Sequence, residues 1–258
     1  MKNYILVIIL VGISFKMSSQ DLCGNIEYTY TKNLAYLYIE KYEMKFDNFK
    51  SQSIEYDIKT KESLKEKEYS NEGLTIKNFK GRNNKTPKFF FQTTKETYFT
   101  DIWDNNQFLV KENPFLWKWK LINEKKTIGS FICKKASIKF RGREYIAWYT
   151  MDIPVSFGPW KFKGLPGLIL EVYDTEKVFH IIPTQVKINK DLSCDFNINK
   201  KELENSITVS QYLKEKKLLL EKEIAKMSSK LSKGSKPLKL DNNCNSCTNT
   251  IEIFNEKN

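Results

Sequence analysis

Two arginines that flank a single glycine, Arg141 and Arg143, are the residues whose type and spacing point most clearly to chemistry. The chain has three arginines among 43 basic residues, so lysine is its default cation. A guanidinium pairs with a carboxylate or a phosphate through two parallel hydrogen bonds, which an ammonium does not offer. We therefore expect these arginines either to form internal ion pairs or to capture an anionic ligand. The candidate internal partners are Asp152, Glu171 and Asp174.

Acid–base chemistry would fall to Asp152 and Glu171, because hydrolysis of a glycosidic bond requires two facing carboxylates. The sequence shows no nucleophile elbow, metal-ligand triad or phosphate-binding loop. Its one histidine, His180, lies in a strand-like run, and a lone histidine weakens the case for a histidine-activated nucleophile. We expect a protein without enzymatic activity, cofactor or metal, and keep a hydrolase using Asp152 and Glu171 as an alternative.

The cysteines point to oxidation chemistry. There are five, so in an oxidising compartment at least one is free or paired with another chain. Cys244 and Cys247 are spaced as C-x-x-C among asparagines, which favours a loop over the strand-to-helix setting of a redox motif. A four-ligand zinc site is difficult to assemble with a single histidine. We predict a local disulfide between Cys244 and Cys247, with redox or metal chemistry as the alternative.

Aromatic residues are the candidates for apolar binding. The stretch from Pro114 to Leu121 alternates in the manner of a strand and places Trp117 and Trp119 on the same face. One interpretation is a hydrophobic core face. The other is an aromatic wall that lines a concave binding surface together with Trp148 and Trp160.

A loop rich in proline and glycine precedes the run Leu168 to Tyr173. Pro166 and Gly167 suit the second and third positions of a type II turn, where glycine accepts a positive φ. Further prolines upstream restrict the backbone, so we expect a rigid loop. It is either a structural corner that closes one end of a curved sheet or a rim for binding. The residues proposed for ligand or partner binding are Arg141, Arg143, Trp148, Trp160, Leu165, Pro166 and Gly167.

The elements that position these residues are mostly strands. Runs with a period of two recur at short intervals, which implies antiparallel neighbours because parallel pairs need long crossovers. We interpret Glu124 to Lys126 as a turn. From Thr208 to Leu231 the period becomes helical, with a capping-box pattern at Thr208 and Gln211. The predicted strands are Gly24 to Thr31, Leu34 to Phe46, Ser51 to Asp57, Lys88 to Thr94, Thr97 to Asp101, Gln107 to Lys111, Pro114 to Leu121, Gly129 to Phe140, Glu144 to Thr150, Leu168 to Tyr173, Val178 to Ile182 and Thr250 to Phe254.

The predicted fold is α+β and mainly antiparallel β. We expect a curved open sheet or half-barrel with one long amphipathic helix packed across it. Residues 20–258 would form a single domain, because no internal repeat or clear domain break is visible.

The first nineteen residues resemble a secretory signal, with a charged start, about a dozen apolar residues and a small polar end. Cys23 has no clear lipobox before it, since Asp21-Leu22 lacks the small residue that lipoprotein processing requires. The net charge is +12, but the lysines are scattered among 31 acidic residues without a long run of one sign. We interpret them as solvated lysines and expect no nucleic-acid partner.

The central blocks resemble a known family. They are Phe140 to Arg143, Ala147 to Thr150, Ile153-Pro154, Gly158-Pro159 and Gly164 to Leu170 (GLPGLIL). In order and spacing they look like the GLPGLI family of exported Bacteroidota proteins, and Asn249 to Glu252 is similar to that family's usual ending. The resemblance implies export and a setting in the periplasm, at the outer membrane or outside the cell. It implies no established activity.

Together these features predict a non-catalytic binding protein of the bacterial envelope that holds an apolar or amphiphilic ligand, such as a lipid, in a concave sheet lined by aromatic residues. The first alternative is a protein-interaction module that partners an outer-membrane transporter through the proline-glycine loop. The second alternative is the hydrolase.

Overall fold

Strands dominate the structure, a computed structural model that describes residues 22–33, 37–56, 87–103, 106–189, 194–230 and 252. The strands are β1 (Cys23–Asn33), β2 (Leu37–Phe46), β3 (Lys50–Tyr56), β4 (Phe89–Thr93), β5 (Thr97–Trp103), β6 (Asn106–Lys111), β7 (Lys120–Ile128), β8 (Phe131–Phe140), β9 (Arg143–Thr150), β10 (Leu168–Asp174), β11 (Phe179–Asn189) and β12 (Ile207–Thr208). The helices are α1 (Lys200–Glu204) and α2 (Val209–Ser228).

The twelve strands found in the described ranges form one sheet in the order β12-β6-β5-β4-β3-β2-β1-β11-β10-β9-β8-β7. Every pairing is antiparallel except that of β12 with β6. The β8–β9 hairpin turns at Arg141 and Gly142, whose φ angles of 48° and 76° are the left-handed pair that tight hairpins require. The predicted mainly antiparallel fold is therefore confirmed.

The sheet is strongly curved, as the connection between β6 and β7 demonstrates. These strands lie at opposite sides of the sheet order, ten strand spacings apart, which would be about 48 Å in a flat sheet. The nine residue steps from Lys111 to Lys120 reach at most about 32 Å. The two sides of the sheet must therefore curl towards each other. The contact of Arg141, which follows β8, with Glu112, which follows β6, agrees with this geometry.

Two of the predicted local elements are wrong. Residues 112–119 form no strand, because this segment crosses between the two sides of the curled sheet and has no ladder partner. Glu124 to Lys126 do not form a turn but belong to β7, where the register shifts between Ile122 and Lys125. The turn falls instead at Gly129, which has a φ of 59°. The charges misled the prediction because β7 is an edge strand, where exposed lysines are common.

Helix α2 begins as predicted. The Thr208 side chain accepts a hydrogen bond from the Gln211 backbone N–H, and the Gln211 side chain accepts one from the Thr208 N–H, which completes the capping box. Tyr212, in the first turns, packs edge-to-face on Phe99 of β5 and on Phe108 of β6. The helix thus lies across the β5–β6 side of the sheet. No helix within the described ranges is long and apolar enough to cross a membrane.

A disulfide joins Cys23, at the start of β1, to Cys194, which follows β11. The sequence did not identify this pair because the two cysteines are 171 residues apart, and pairing depends on the register of β1 with β11. The pair predicted at Cys244 and Cys247 lies outside the described residues. Cys133 is free and buried, and burial raises the pKa of its thiol to about 11, so it is a poor nucleophile at neutral pH.

Candidate functional site

The pleat of the strands gives the sheet two chemically different faces. Along β1, alternate residues are fully buried, among them Ile26, Tyr28 and Tyr30. The register continues this face to Tyr42 on β2 and, through the aromatic contacts of Phe179, to Tyr145 on β9. We call it the inner face. The opposite side is the outer face.

Residues 151–167, here called the motif loop, pack onto the inner face. The Trp160 backbone N–H donates to the Tyr30 hydroxyl at 2.7 Å. The Gln92 side-chain amide donates to the carbonyls of Gly158 and Trp160 at 3.2 and 3.1 Å. Trp160 has a φ of 58°, a left-handed conformation that a bulky residue keeps only when its surroundings hold it. The loop is therefore fixed to strands β1 and β4, and its apolar side chains fill this part of the inner face.

The glycines of the motif loop are explained by close approach and not by the predicted turn. Gly167 does not adopt a positive φ, so the type II turn at Pro166-Gly167 is wrong. A Cβ atom at Gly167 would lie 2.0 Å from the Thr150 carbonyl oxygen. The glycine is required because the loop re-enters the sheet directly against β9. The positive φ of 90° occurs at Gly164 instead.

The two tryptophans of the predicted aromatic wall are half-buried and pack against the hydrophobic core. Trp117 and Trp119 stack on each other with ring centroids 6.0 Å apart, and Trp117 also packs on Phe140 at 5.0 Å. The Trp119 indole N–H donates to the Lys163 carbonyl at 2.8 Å. Both tryptophans lie beside Phe162 of the motif loop. Any role for them in ligand binding stays a prediction.

The residues proposed for binding are divided between different surroundings. Trp160 and Leu165 are buried residues of the motif loop, whereas Pro166 in the same loop is exposed. Trp148 lies on the outer face, where the ammonium groups of Lys126 and Lys135 are 4.5 and 5.7 Å from its ring centroid. Trp160 and Leu165 therefore lie on the inner-face side of the sheet, in the motif loop, and Trp148 lies on the opposite face.

The two arginines take separate partners. Arg143 is almost completely buried and pairs with Asp174 at 3.4 Å and with Glu176 at 2.5 Å. Of the predicted internal partners, Asp174 is thus correct. Arg141 pairs with Glu112, which did not figure among the predicted partners because it follows a strand on the other side of the curled sheet.

Glu171 lies on the outer face and not beside an arginine. Its carboxylate pairs with the ammonium of Lys126 and is 2.9 Å from Nε2 of His180. Burial alone would raise the pKa of Glu171, but these hydrogen bonds outweigh burial and hold it below its usual value. Asp152 is exposed just after β9. A carboxylate that is held ionised is poorly suited to act as a general acid.

The inner face also carries charged side chains that sequence reasoning missed. Lys32 and Lys88 both pair with Glu40, at 2.5 and 3.2 Å, although the side chains of Lys32 and Glu40 are only 13% and 12% exposed. Next to them, Asp101 accepts a hydrogen bond from the Tyr212 hydroxyl and pairs with Lys216 of α2 at 3.5 Å. The charged row, as we call this set, consists of Lys32, Glu40, Glu55, Lys88, Asp101 and Lys216.

Strand register brings the charged row together. Lys88 lies opposite Glu55 of β3 and donates its backbone N–H to the Glu55 carboxylate at 3.0 Å. On its other side, the β4–β5 register places it next to Asp101. The sequence does contain a signal for this arrangement. Lys32 lies two positions after Tyr30, and Glu40 lies two positions before Tyr42, so in a strand each charged side chain points to the same face as a buried tyrosine. This spacing alone does not identify a site, because it does not show which strands are neighbours.

The charges of the row perturb one another strongly. Burial alone would raise the pKa of Glu40, but the ammonium groups of Lys32 and Lys88 outweigh burial and hold it well below its usual value. Burial lowers the pKa of Lys32 despite the neighbouring Glu40. For Lys88, the attraction of Glu40 and Glu55 outweighs burial, so its pKa is raised. The row is therefore a network of ionised groups held in a largely enclosed place.

Metal binding has no evident support in the described part of the chain, where no group of three or more histidine, cysteine, aspartate or glutamate residues could hold an ion.

The arrangement of the charged row, with lysines and carboxylates alternating beside aromatic rings, suits recognition of a molecule that carries both charge and apolar surface.

Comparison with known proteins gives a short family match. A family model described as a protein of unknown function (Porph_ging) matches residues 141–171, which include strand β9, the motif loop and the first part of β10. No curated protein matches the chain. The match supports a relationship over the motif to a family of unknown function, while the name GLPGLI rests on the sequence resemblance alone.

Several solved structures are similar over most of this chain. Two crystal structures of PNGF-II are 17% identical, with TM-scores of 0.45 and 0.47, and the matched region covers 72% and 74% of this chain. It covers 30% and 32% of the PNGF-II chains, so this chain spans about a third of their length. An uncharacterised conserved protein from Thermus thermophilus is 10% identical with a TM-score of 0.32, covering 72% of this chain and 89% of that one. A LolA superfamily protein from Nitrosomonas europaea is 6% identical with a TM-score of 0.28, covering 69% and 89%.

Proposed function

We propose that the protein is an exported, non-catalytic binding protein that holds an amphiphilic ligand on its inner face. The polar group of the ligand would contact the charged row, and its apolar part would lie beside the row on the inner face. The observation that carries the proposal is the charged row itself. Charges in an enclosed place contribute little net stability compared with apolar side chains of similar size, so their presence points to a role beyond packing.

The motif loop supports the amphiphilic alternative over the purely apolar one. Its side chains Trp160 and Phe162 occupy the part of the inner face next to Phe140 and Tyr145. The charged row lies on the same face, on strands β1 to β5 and the neighbouring helix α2. Because the row combines three lysines with three carboxylates, a zwitterionic head group is the best electrostatic match.

The proposed setting is the periplasm, the outer membrane surface or the extracellular space. The Cys23–Cys194 disulfide supports it, because structural disulfides persist in oxidising compartments. The signal-like residues 1–19 and the resemblance to the GLPGLI family point in the same direction. Residues 20–258 would then be the mature chain, as a single domain.

One observation favours the second candidate, a module that binds a protein partner such as an outer-membrane transporter component. Ile132, at the start of β8, and Met151, at the start of the motif loop, are 61% and 50% exposed. The exposed Pro154 and Pro166 belong to the same loop. Adjacent apolar side chains in water are a common feature of interaction sites. A pull-down from envelope extract that loses a partner when Ile132 and Met151 are both changed to glutamate would support this candidate.

The hydrolase alternative has weaker support. Glu171 is engaged by Lys126 and His180, and Asp152 is exposed on the motif loop. If the two carboxylates were catalytic, Glu171→Gln would abolish hydrolysis of a glycoside substrate while leaving the fold intact.

The binding proposal is tested by calorimetric titration of the purified protein with lysophosphatidylcholine below its micelle concentration. We expect saturable binding that weakens at least about tenfold in Lys32→Met or Lys88→Met, since each change removes a charged contact worth about 1.4 kcal/mol or more. Anionic lysophosphatidylglycerol and cationic dodecyltrimethylammonium serve as head-group comparisons.

The matched control is Lys135→Met, which removes an outer-face lysine paired with Glu124 at 2.8 Å. It should leave the affinity unchanged. Absence of saturable binding for all three amphiphiles, or an equal loss in the Lys135 variant, would contradict the proposal.

A further inference from the structure

Four charged side chains meet at a second place, where the motif loop approaches the end of β6. The Lys161 ammonium is 2.8 Å from the Glu112 carboxylate and 2.8 Å from each carboxylate oxygen of Glu252. Arg141 pairs with Glu112, and its Nε is 3.7 Å from Glu252. Glu252 comes from the C-terminal part of the chain, 91 residues after Lys161.

This place is enclosed and shaped around a cation. The Lys161 side chain is 1% exposed, and its ammonium lies 3.6 Å from the ring centroid of Phe99 and 5.3 Å from that of Trp160. Aromatic faces stabilise an ammonium but do not neutralise it. Lys161 therefore depends on carboxylates for charge compensation, because an uncompensated charge in such a position is very costly.

The charges of the residues around Glu252 determine which charged group can bind at this place. Arg141 lies in the β8–β9 turn, Glu112 follows β6 and Lys161 lies in the motif loop. Together these three side chains carry one net positive charge. One monoanion balances them, whereas a phosphate dianion would add unneutralised charge beside Glu112. Both oxygens of the Glu252 carboxylate are equally close to Lys161. The place thus has the charge and the donors for a single carboxylate.

We infer that Arg141 and Lys161 form a carboxylate-binding site, which in this structure is filled by the chain's own Glu252. The site recognises the carboxylate group itself, so a free monocarboxylate takes the place of the Glu252 side chain when that side chain is shortened. Both cationic residues lie within the stretch that matches the family model, and so this part of the motif acts as a receptor for an acidic group. The inference rests on these ion pairs alone and is independent of the charged row.

The test is chemical rescue of Glu252→Ala in the full chain. This substitution removes the carboxylate and the adjoining methylene carbon, which together correspond to acetate. Thermal unfolding is followed at pH 7 with sodium acetate up to about 200 mM, against sodium chloride at equal ionic strength, because a ligand that binds the folded state raises the melting temperature with its concentration. We expect the variant to melt below the wild type, and acetate but not chloride to recover a saturable part of the loss.

Three comparisons make the result specific. Wild-type protein should show no acetate-specific shift because Glu252 fills the site, and Glu252→Gln should show none because the amide occupies the space. Glu96→Ala, which removes an exposed carboxylate paired with Lys111 at 2.6 Å, should also show none. Adding Lys161→Met to Glu252→Ala should abolish the acetate response.

The inference is overturned if Glu252→Ala responds equally to acetate and chloride, or if the response survives the loss of Lys161. If Glu252→Ala does not fold in chloride, the yield of refolding in acetate becomes the measurement. A yield that acetate raises supports the site, and equal failure in both salts contradicts it.

Discussion

Single residues in this protein decide how closely the motif loop and the sheet approach. Gly167 brings the loop back against the Thr150 carbonyl, and Trp160 keeps a left-handed conformation because the Tyr30 hydroxyl accepts its backbone N–H. Charged residues also depend on particular neighbours. The Glu40 carboxylate is tolerated in an enclosed place because Lys32 and Lys88 both pair with it. Each of these positions therefore depends on a specific neighbour from another part of the chain.

Replacing Gly167 with alanine should destabilise the fold by about 2–3 kcal/mol, because the new Cβ would overlap the Thr150 carbonyl oxygen and force the backbone to move. The matched control is Gly129→Ala. At Gly129 no atom lies within 4 Å of the new Cβ, and only the strain of a φ of 59° remains, about 1 kcal/mol. Urea midpoints of the two variants compare these costs; equal losses would show that close approach is not what Gly167 provides.

Replacing Glu40 with glutamine should cost roughly 3 kcal/mol at pH 7, because two ammonium groups would lose their carboxylate in an enclosed place. The pKa of Glu40 is lower in the folded state than in the unfolded state, so its stabilisation is fully present above the unfolded pKa and is lost as the pH falls towards the folded value. The difference in unfolding free energy between wild type and variant should therefore shrink progressively below about pH 4.5. A difference that is constant from pH 7 to pH 3 would contradict the depressed pKa.

At the scale of elements, local patterns were sufficient for most strands and for the start of α2. The Arg141-Gly142 turn, the alternation along β1 and the capping box at Thr208 are short-range features, and they follow directly from the sequence. The segment 112–119 and strand β7 do not, because their conformations depend on the curl of the whole sheet. For the same reason the contacts of Arg141 with Glu112, and of Cys23 with Cys194, required the three-dimensional structure.

The Cys23–Cys194 disulfide should contribute strongly to stability, because it constrains a long stretch of the unfolded chain. The chain-entropy relation for a separation of 171 residues gives about 5 kcal/mol. Changing both cysteines to alanine should lower the urea midpoint about as much as adding a reductant to the wild type. Any reductant effect that remains in the double variant would report the disulfide predicted between Cys244 and Cys247. A wild-type midpoint that reductant leaves unchanged would contradict the contribution assigned to the Cys23–Cys194 bridge.

At the scale of the whole molecule, the sheet has an inner face divided into two parts. The motif loop and its aromatic partners close one part, and the charged row remains in the other. The sequence indicated the curved sheet, the stiff loop and the helix, but it placed the binding surface on the aromatic residues. Side-chain burial depends on which strands neighbour each other, and this information is absent from local periodicity; the charged row was therefore not recognised.

The most direct test of the account is the location of amphiphile binding, measured by NMR on protein labelled with nitrogen-15 and titrated with lysophosphatidylcholine. We predict that the largest amide shifts occur around Lys32, Glu40 and Lys88 on the inner face. Shifts that centre instead on the outer face around Trp148 and Glu171, or on the exposed loop near Pro166, would contradict the claim that the charged row is the binding site.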